Sequence, residues 1–274
     1  MRVGVMADLV KGIDIEEKFR EIRELGMESC QLVCWDRSLL NRETAGRVKA
    51  AMEKHRMTIT AFWCGWEGPK DWNFYEGQVT LGLVPEAYRF QRMQMLMEGS
   101  DFAKELGVVD VVTHVGYMPE NPYDPKYPEV IACLKKLVQY YKDNGQYFLF
   151  ETGQETPVTL KRAIQDIGFE NVGINLDPAN LIMYGKANPV DALDVFGAYV
   201  RGVHGKDGLY PTDGRELGPE VALGQGKVDY PRLVEGLKRC GYDGDITIER
   251  EISGAEQKKD IIMAKEILER LIQE

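Results

Sequence analysis

Short apolar stretches rich in Val, Ile, Phe and Thr alternate with amphipathic ones from one end of this 274-residue chain to the other. Runs near residues 2–7, 29–35, 58–64, 108–114, 147–151, 172–177, 200–205 and 245–250 have the length and composition of strands. The stretches between them carry a helical period. Ile15, Phe19, Ile22 and Leu25 recur at that spacing before Gly26, with Asp14 placed to cap the start. Ile261, Ala264, Leu268 and Leu271 repeat the pattern near the end. Strict alternation predicts parallel strands joined by right-handed crossovers, and eight such units over 1–274 predict one (β/α)8 TIM barrel domain. A doubly wound sheet is the rival, but its Gly-rich phosphate turn is missing, because the first strand runs into Ala7-Asp8-Leu9-Val10.

Loop lengths separate the two ends of the predicted barrel. The turns from helix to strand are short, as at Gly26-Met27-Glu28, whereas the segments Gly65–Leu83, Tyr117–Tyr127 and Asp207–Lys227 follow strands and are long. All three would rise from the C-terminal face, where barrel enzymes place their active sites. The first carries Trp66, Trp72, Phe74 and Tyr75, which either pack that loop onto its neighbours or line a ligand pocket.

Composition narrows the function classes. The net charge of −10 opposes binding to phosphate backbones and anionic membranes, so neither nucleic acid nor a membrane is an expected partner. No apolar run approaches the ~20 residues of a membrane span, and a cytoplasmic location is the expectation. Five cysteines without paired spacing suggest reduced core thiols rather than a disulfide framework or zinc ribbon. With only three histidines, His55, His114 and His204, any metal site must lean on carboxylates.

Four consecutive strand ends each present a metal-binding residue: Glu151, Asp177, His204 and Glu249. Side chains alternate across a strand, so Leu149 and Glu151 share one face, as do Gly173, Asn175 and Asp177, and Thr247 and Glu249. Should those faces point inward, the four groups converge. A single strand-end acid is more often a cap or ion-pair partner, but four on consecutive strands are hard to attribute to chance. Three carboxylates and one imidazole suit Mn²⁺, Mg²⁺ or Co²⁺, and also admit Zn²⁺. His114 closes the fourth strand at the same face, and Lys206 lies two residues beyond His204. His114 is expected to contact substrate or to support the metal ligands from behind, and Lys206 to contact substrate in preference to pairing with Glu251. Lys206, Arg215 and the Gly224–Gly226 turn are candidates for a phosphate, although the two glycines fit a tight turn before a helix near Asp229 better.

The segments Glu151-Thr152-Gly153-Gln154-Glu155, Asn175-Leu176-Asp177-Pro178-Ala179-Asn180, Val203-His204-Gly205-Lys206-Asp207, Gly224-Gln225-Gly226-Lys227-Val228-Asp229-Tyr230 and Ile248-Glu249-Arg250-Glu251 resemble the xylose isomerase-like TIM barrels, a superfamily of sugar isomerases and epimerases. The resemblance covers nearly the whole chain. It implies one divalent ion, commonly Mn²⁺, held by Glu151, Asp177, His204 and Glu249. It further implies a ketose or related keto-sugar substrate, free or phosphorylated, whose proton passes through an enediolate between the catalytic pair Glu151 and Glu249. A homodimer or homotetramer is implied by the resemblance alone. Asn180 stands where the ketose 3-epimerases carry a substrate-contacting His. Glu155 falls four residues after Glu151, where they carry a Glu about six after. Asn180, Glu155, His114, Lys206, Arg215 and Trp66 are thus the expected substrate-binding residues.

Three alternatives bear weighing. A keto-sugar or inosose dehydratase could use the same scaffold, because an enediolate can expel a β-hydroxyl. A DNA-cleaving relative with three zinc ions would need more histidines and a less acidic chain. A non-catalytic sugar-binding module would have no use for two flanking carboxylates.

Overall fold

The computed structural model describes residues 1–274 and contains a closed barrel of eight parallel strands. The strands are β1 (Arg2–Asp8), β2 (Ser29–Cys34), β3 (Thr58–Cys64), β4 (Asp110–Thr113), β5 (Tyr147–Glu151), β6 (Val172–Leu176), β7 (Val200–Gly205) and β8 (Asp245–Ile248). Each is followed by a principal outer helix: α1 (Ile15–Glu24), α2 (Arg42–His55), α3 (Glu86–Leu106), α4 (Lys126–Asp143), α5 (Pro157–Ile167), α6 (Pro189–Phe196), α7 (Tyr230–Arg239) and α8 (Ala255–Gln273). The sheet closes where β1 pairs with β8, Val5 lying opposite Ile248. No helix is long and apolar enough to cross a membrane.

Alternation along the strands divides the interior into two layers. Outward-facing Phe148 and Phe150, Ile174 and Leu176, Val203, and Ile246 and Ile248 join a continuous core of 63 buried residues beneath the helices. Cys30 and Cys34 lie in that layer too, as free thiols. A smaller cluster of nine, including Val33, Ala61, Trp63, Val112 and Leu149, fills the inside of the barrel. Leu149 belongs to the inner cluster while its neighbours Phe148 and Phe150 belong to the outer one, so the period of two places Glu151 inside the barrel.

Helix caps follow the local sequence. Asp14 accepts from the N–H groups of Glu16 and Glu17 at the start of α1, and Asp229 caps α7 by accepting from Arg232. The long loops gather at the C-terminal face, as their lengths predict. The loops after β3 and β7 meet there: the Phe74 N–H donates to the Arg215 carbonyl at 2.8 Å, and Asn73 pairs with Glu216. The loop after β7 also folds back on Asp207, whose buried carboxylate accepts the N–H groups of Gly208, Gly224, Gly226 and Val228. A Cβ on Gly226 would lie 2.0 Å from Asp207 Oδ1, so only glycine permits this wrap.

Candidate metal centre and cavity

Glu151 ends β5, Asp177 follows β6, His204 lies in β7 and Glu249 follows β8, so four adjacent strands each deliver one side chain to the same end of the barrel. One ligand atom from each lies within 4.8 Å of all the others. His204 Nδ1 is 3.0 Å from Glu151 Oε1, 2.9 Å from Glu249 Oε2 and 3.5 Å from Asp177 Oδ2. Three of these atoms, His204 Nδ1, Asp177 Oδ2 and Glu249 Oε2, are buried without a hydrogen-bond partner. Buried polar atoms without partners are costly, and a set of them facing one point is what a cation would satisfy. Asp177 divides its carboxylate between tasks. Its Oδ1 accepts the Asn180 N–H at 2.8 Å and caps the short helix Pro178–Met183, leaving Oδ2 for the cluster.

The imidazole is oriented from behind. Gln31 Nε2 donates to Asn175 Oδ1 at 2.9 Å, which leaves Gln31 Oε1 to face His204 Nε2, also at 2.9 Å. Asn175 Nδ2 lies 3.0 Å from the same nitrogen, and with Gln31 Oε1 there to accept the Nε2 proton it is Nδ1 that is turned toward the carboxylates, as a metal ligand requires. Asn175 also donates to Glu151 Oε2 at 2.6 Å and so positions that carboxylate. Gln31 and Asn175 were not among the site residues expected from sequence. Their signal is a polar residue at an inward position of an apolar strand.

Burial opposes charge on His204, but the Glu151 and Glu249 carboxylates outweigh it and hold its pKa well above the ordinary value. A divalent ion would take the place of that proton. Burial pushes Glu151 up to about 7, against the pull of His204. Burial also acts against the Glu249 charge, yet Lys206 and His204 keep that carboxyl below its usual range. Lys206 is buried, with Nζ 2.8 Å from Glu251, 3.6 Å from Glu249 and 3.8 Å from Asp177. Its ion pair with Glu251 does form, contrary to the preference drawn from the sequence. The three carboxylates outweigh its burial and keep the ammonium charged.

A cavity of about 630 Å³ opens over the cluster. Glu151, Glu249, His114, Asn180 and Lys206 all line it. His114 stands against Trp63 and Trp72, with ring centroids 5.6 and 5.1 Å away, and its Nδ1 has no partner. Burial pushes its pKa down to about 3, helped by Lys206, so the ring is neutral. All four tryptophans of the chain form one cluster, of which Trp35, Trp63 and Trp72 face the cavity. The backbone comes close here, since a Cβ on Gly65 would meet the Trp35 ring at 2.3 Å.

Three expected substrate contacts lie elsewhere. Trp66 is 1% exposed and packs behind Trp35, because the loop turns inward immediately after β3. Arg215 stacks over Tyr75 at 4.9 Å on the outside of the two-loop contact. Glu155 is enclosed beside the cavity rather than lining it, and neither of its carboxyl oxygens has a partner. Burial pushes it up to about 8. The Gly224 and Gly226 N–H groups are engaged by Asp207, which removes that turn as a phosphate cradle.

Fold and site together define a parallel (β/α)8 barrel with a carboxylate–histidine cluster at the C-terminal ends of its last four strands. Residues 19–271 match the family described as xylose isomerase-like TIM barrel, and the chain belongs to that family. The crystal structure of a xylose isomerase domain protein from Planctomyces limnophilus is similar throughout, with 34% identity, a TM-score of 0.92, and 98% of this chain and 96% of that one covered. A D-tagatose 3-epimerase-like protein shares the fold at 23% identity and a TM-score of 0.75, covering 100% of this chain and 97% of that one. The uncharacterized protein MJ1311 of Methanocaldococcus jannaschii is 27% identical over 199 residues, 69% of this chain. The matched region spans 64% of that relative's length.

Proposed function

We propose that the protein is a divalent-metal-dependent epimerase or isomerase of a keto-sugar. The observation that carries this reading is the convergence of Glu151, Asp177, His204 and Glu249 within 4.8 Å, with the two glutamates at the ends of the arc. In barrel order the ligands run β5, β6, β7, β8, so Asp177 and His204 hold the middle while Glu151 and Glu249 approach a bound molecule from opposite sides. A mainly oxygen donor set with one imidazole fits Mn²⁺ best, and also Mg²⁺ or Co²⁺. When bound, such an ion would polarise a sugar carbonyl and stabilise the negative charge left when a neighbouring carbon loses its proton.

Glu151 and Glu249 are then the proton carriers. One removes the carbon-bound proton and the other returns a proton to the opposite face, which inverts that carbon; return to the adjacent carbon interconverts ketose and aldose. Neutral His114, the Asn180 amide and the Lys206 ammonium supply hydrogen bonds of different kinds to hydroxyl groups, while Trp35, Trp63 and Trp72 offer an apolar wall to the C–H face of the sugar. The phosphate donors expected from the sequence are otherwise engaged: Arg215 by Tyr75, the glycine turn by Asp207, and Lys206 in part by Glu251.

The test is incubation with Mn²⁺ and a panel of ketoses in D₂O, followed by NMR. Deuterium should enter at one carbon without loss of water from the sugar. In Glu151→Gln and Glu249→Gln, turnover should cease while each variant retains exchange from one epimer only, because an amide cannot accept the proton. Metal content measured alongside separates lost binding from lost proton transfer. Normal turnover by both variants with metal retained would refute the mechanism, and release of a β-hydroxyl would make the protein a dehydratase.

A further inference from the structure

The cavity does not end at the metal cluster. It continues past Glu249, Arg250, Glu251 and Ile252 into a trench over the β1–β8 seam, between α1 and α8. Ile22 of α1, Leu25 at that helix's C-cap and Ile261 of α8 give it apolar walls. Lys18 and Glu21, three residues apart on α1 and thus neighbours on one helix face, line it with side chains that make neither an ion pair nor a hydrogen bond within the protein. Across the trench, Gln257 donates its amide N–H to the Arg250 carbonyl at 2.9 Å and keeps its own oxygen free. A donor, a charged acceptor and an amide oxygen therefore face a half-apolar slot that opens into the same space as the metal cluster.

We infer that this trench is a second sugar subsite and that the substrate is a keto-sugar carrying a further glycosyl unit. The inference rests on the sugar reading above and extends it. A volume of about 630 Å³ falls within the range of roughly 300–1,000 Å³ that accommodates drug-sized ligands, and a lone monosaccharide would leave much of it to water. A pyranose has apolar C–H faces and a rim of hydroxyls, which matches isoleucine and leucine walls with separate polar contacts. The aromatic wall of Trp35, Trp63 and Trp72 lies on the β2–β3 side of the mouth, so the reacting sugar and the second ring would occupy opposite ends of one cavity.

The test is calorimetric binding to Mn²⁺-loaded protein of D-fructose and its 3-O-, 4-O- and 6-O-glucosyl derivatives (turanose, maltulose and isomaltulose). At least one disaccharide should bind tenfold or more tightly than D-fructose. Ile261→Trp, which fills the trench, and Lys18→Ala, which removes one contact without added bulk, should each reduce that advantage at least threefold while leaving D-fructose affinity unchanged. D-Fructose binding with no gain for any disaccharide overturns the subsite alone, as does an equal loss for both ligand sizes in the variants. Binding of neither class, with Mn²⁺ still held, overturns the subsite and the sugar reading together.

Discussion

Asp207 is not one of the clustered ligands, yet replacing it should unfasten the loop that covers one side of the site. Its Oδ1 accepts the N–H groups of Gly208 at 2.9 Å and Val228 at 3.1 Å, and its Oδ2 accepts those of Gly224 and Gly226, both at 2.9 Å. Asp207→Asn keeps one acceptor oxygen but turns an NH₂ group toward the other pair of donors, so two of the four bonds are lost. Hydrogen bonds to a charged group contribute ~1.5–3 kcal/mol each and an unsatisfied buried donor costs ~1–3 kcal/mol, but Gly224 is exposed and Gly226 half-buried, so water recovers part of the loss. The net should be about 2–4 kcal/mol for Asn when Oδ2 is the atom replaced. Asp207→Ala also strips the buried Gly208 and Val228 donors and should cost about 4–6 kcal/mol. At roughly 2–3 °C per kcal/mol for a chain of this size, the midpoint should fall by about 5–10 °C for Asn and more for Ala. Calorimetry at a fixed scan rate reads the midpoint. Limited proteolysis should show new cleavage within 209–227, because that loop loses its anchor at both ends. A midpoint within 1 °C of the parent for both variants, with no new cleavage, would show that the four hydrogen bonds do not hold the loop.

Two further outcomes follow from the buried charges. Removing metal with a chelator should lower the midpoint, since an ion held only by the folded state adds about 2.7 kcal/mol at a concentration of 100 Kd. Thermal scans with and without Mn²⁺ check this, and His204→Ala should abolish the difference. Glu155, raised to about 8 by burial, is protonated in the fold and ionised when unfolded between its ordinary pKa and 8, so stability should fall as pH rises through that window. Glu155→Gln should flatten the fall and raise the midpoint at pH 8; denaturant titrations at pH 5 and pH 8 would detect it, and an unchanged difference would contradict the burial argument.

Much of the barrel was legible in the amino-acid order because a strand buried on both faces reads as a short, nearly continuous apolar run, whereas a helix buried on one face repeats its apolar residues at helical spacing. Eight alternations of the two patterns left little choice of architecture. Alternation along each strand set the parity of Glu151, Asp177, His204 and Glu249, and the structure turns that parity inward because Phe150, Leu176, Val203 and Ile248 beside them pack beneath the helices. What a period cannot express is the partner across the barrel. Gln31 in β2 meets Asn175 and His204 of β6 and β7 only because the sheet closes, and that contact orients the imidazole. Loop side chains follow no period at all, so the exchange of Trp66 for Trp35 and Trp63 at the cavity wall, the outward stacking of Arg215 and the Lys206–Glu251 pair were decided by how the loops packed. The trench between α1 and α8 is a property of the closed barrel alone, because its two walls come from opposite ends of the chain.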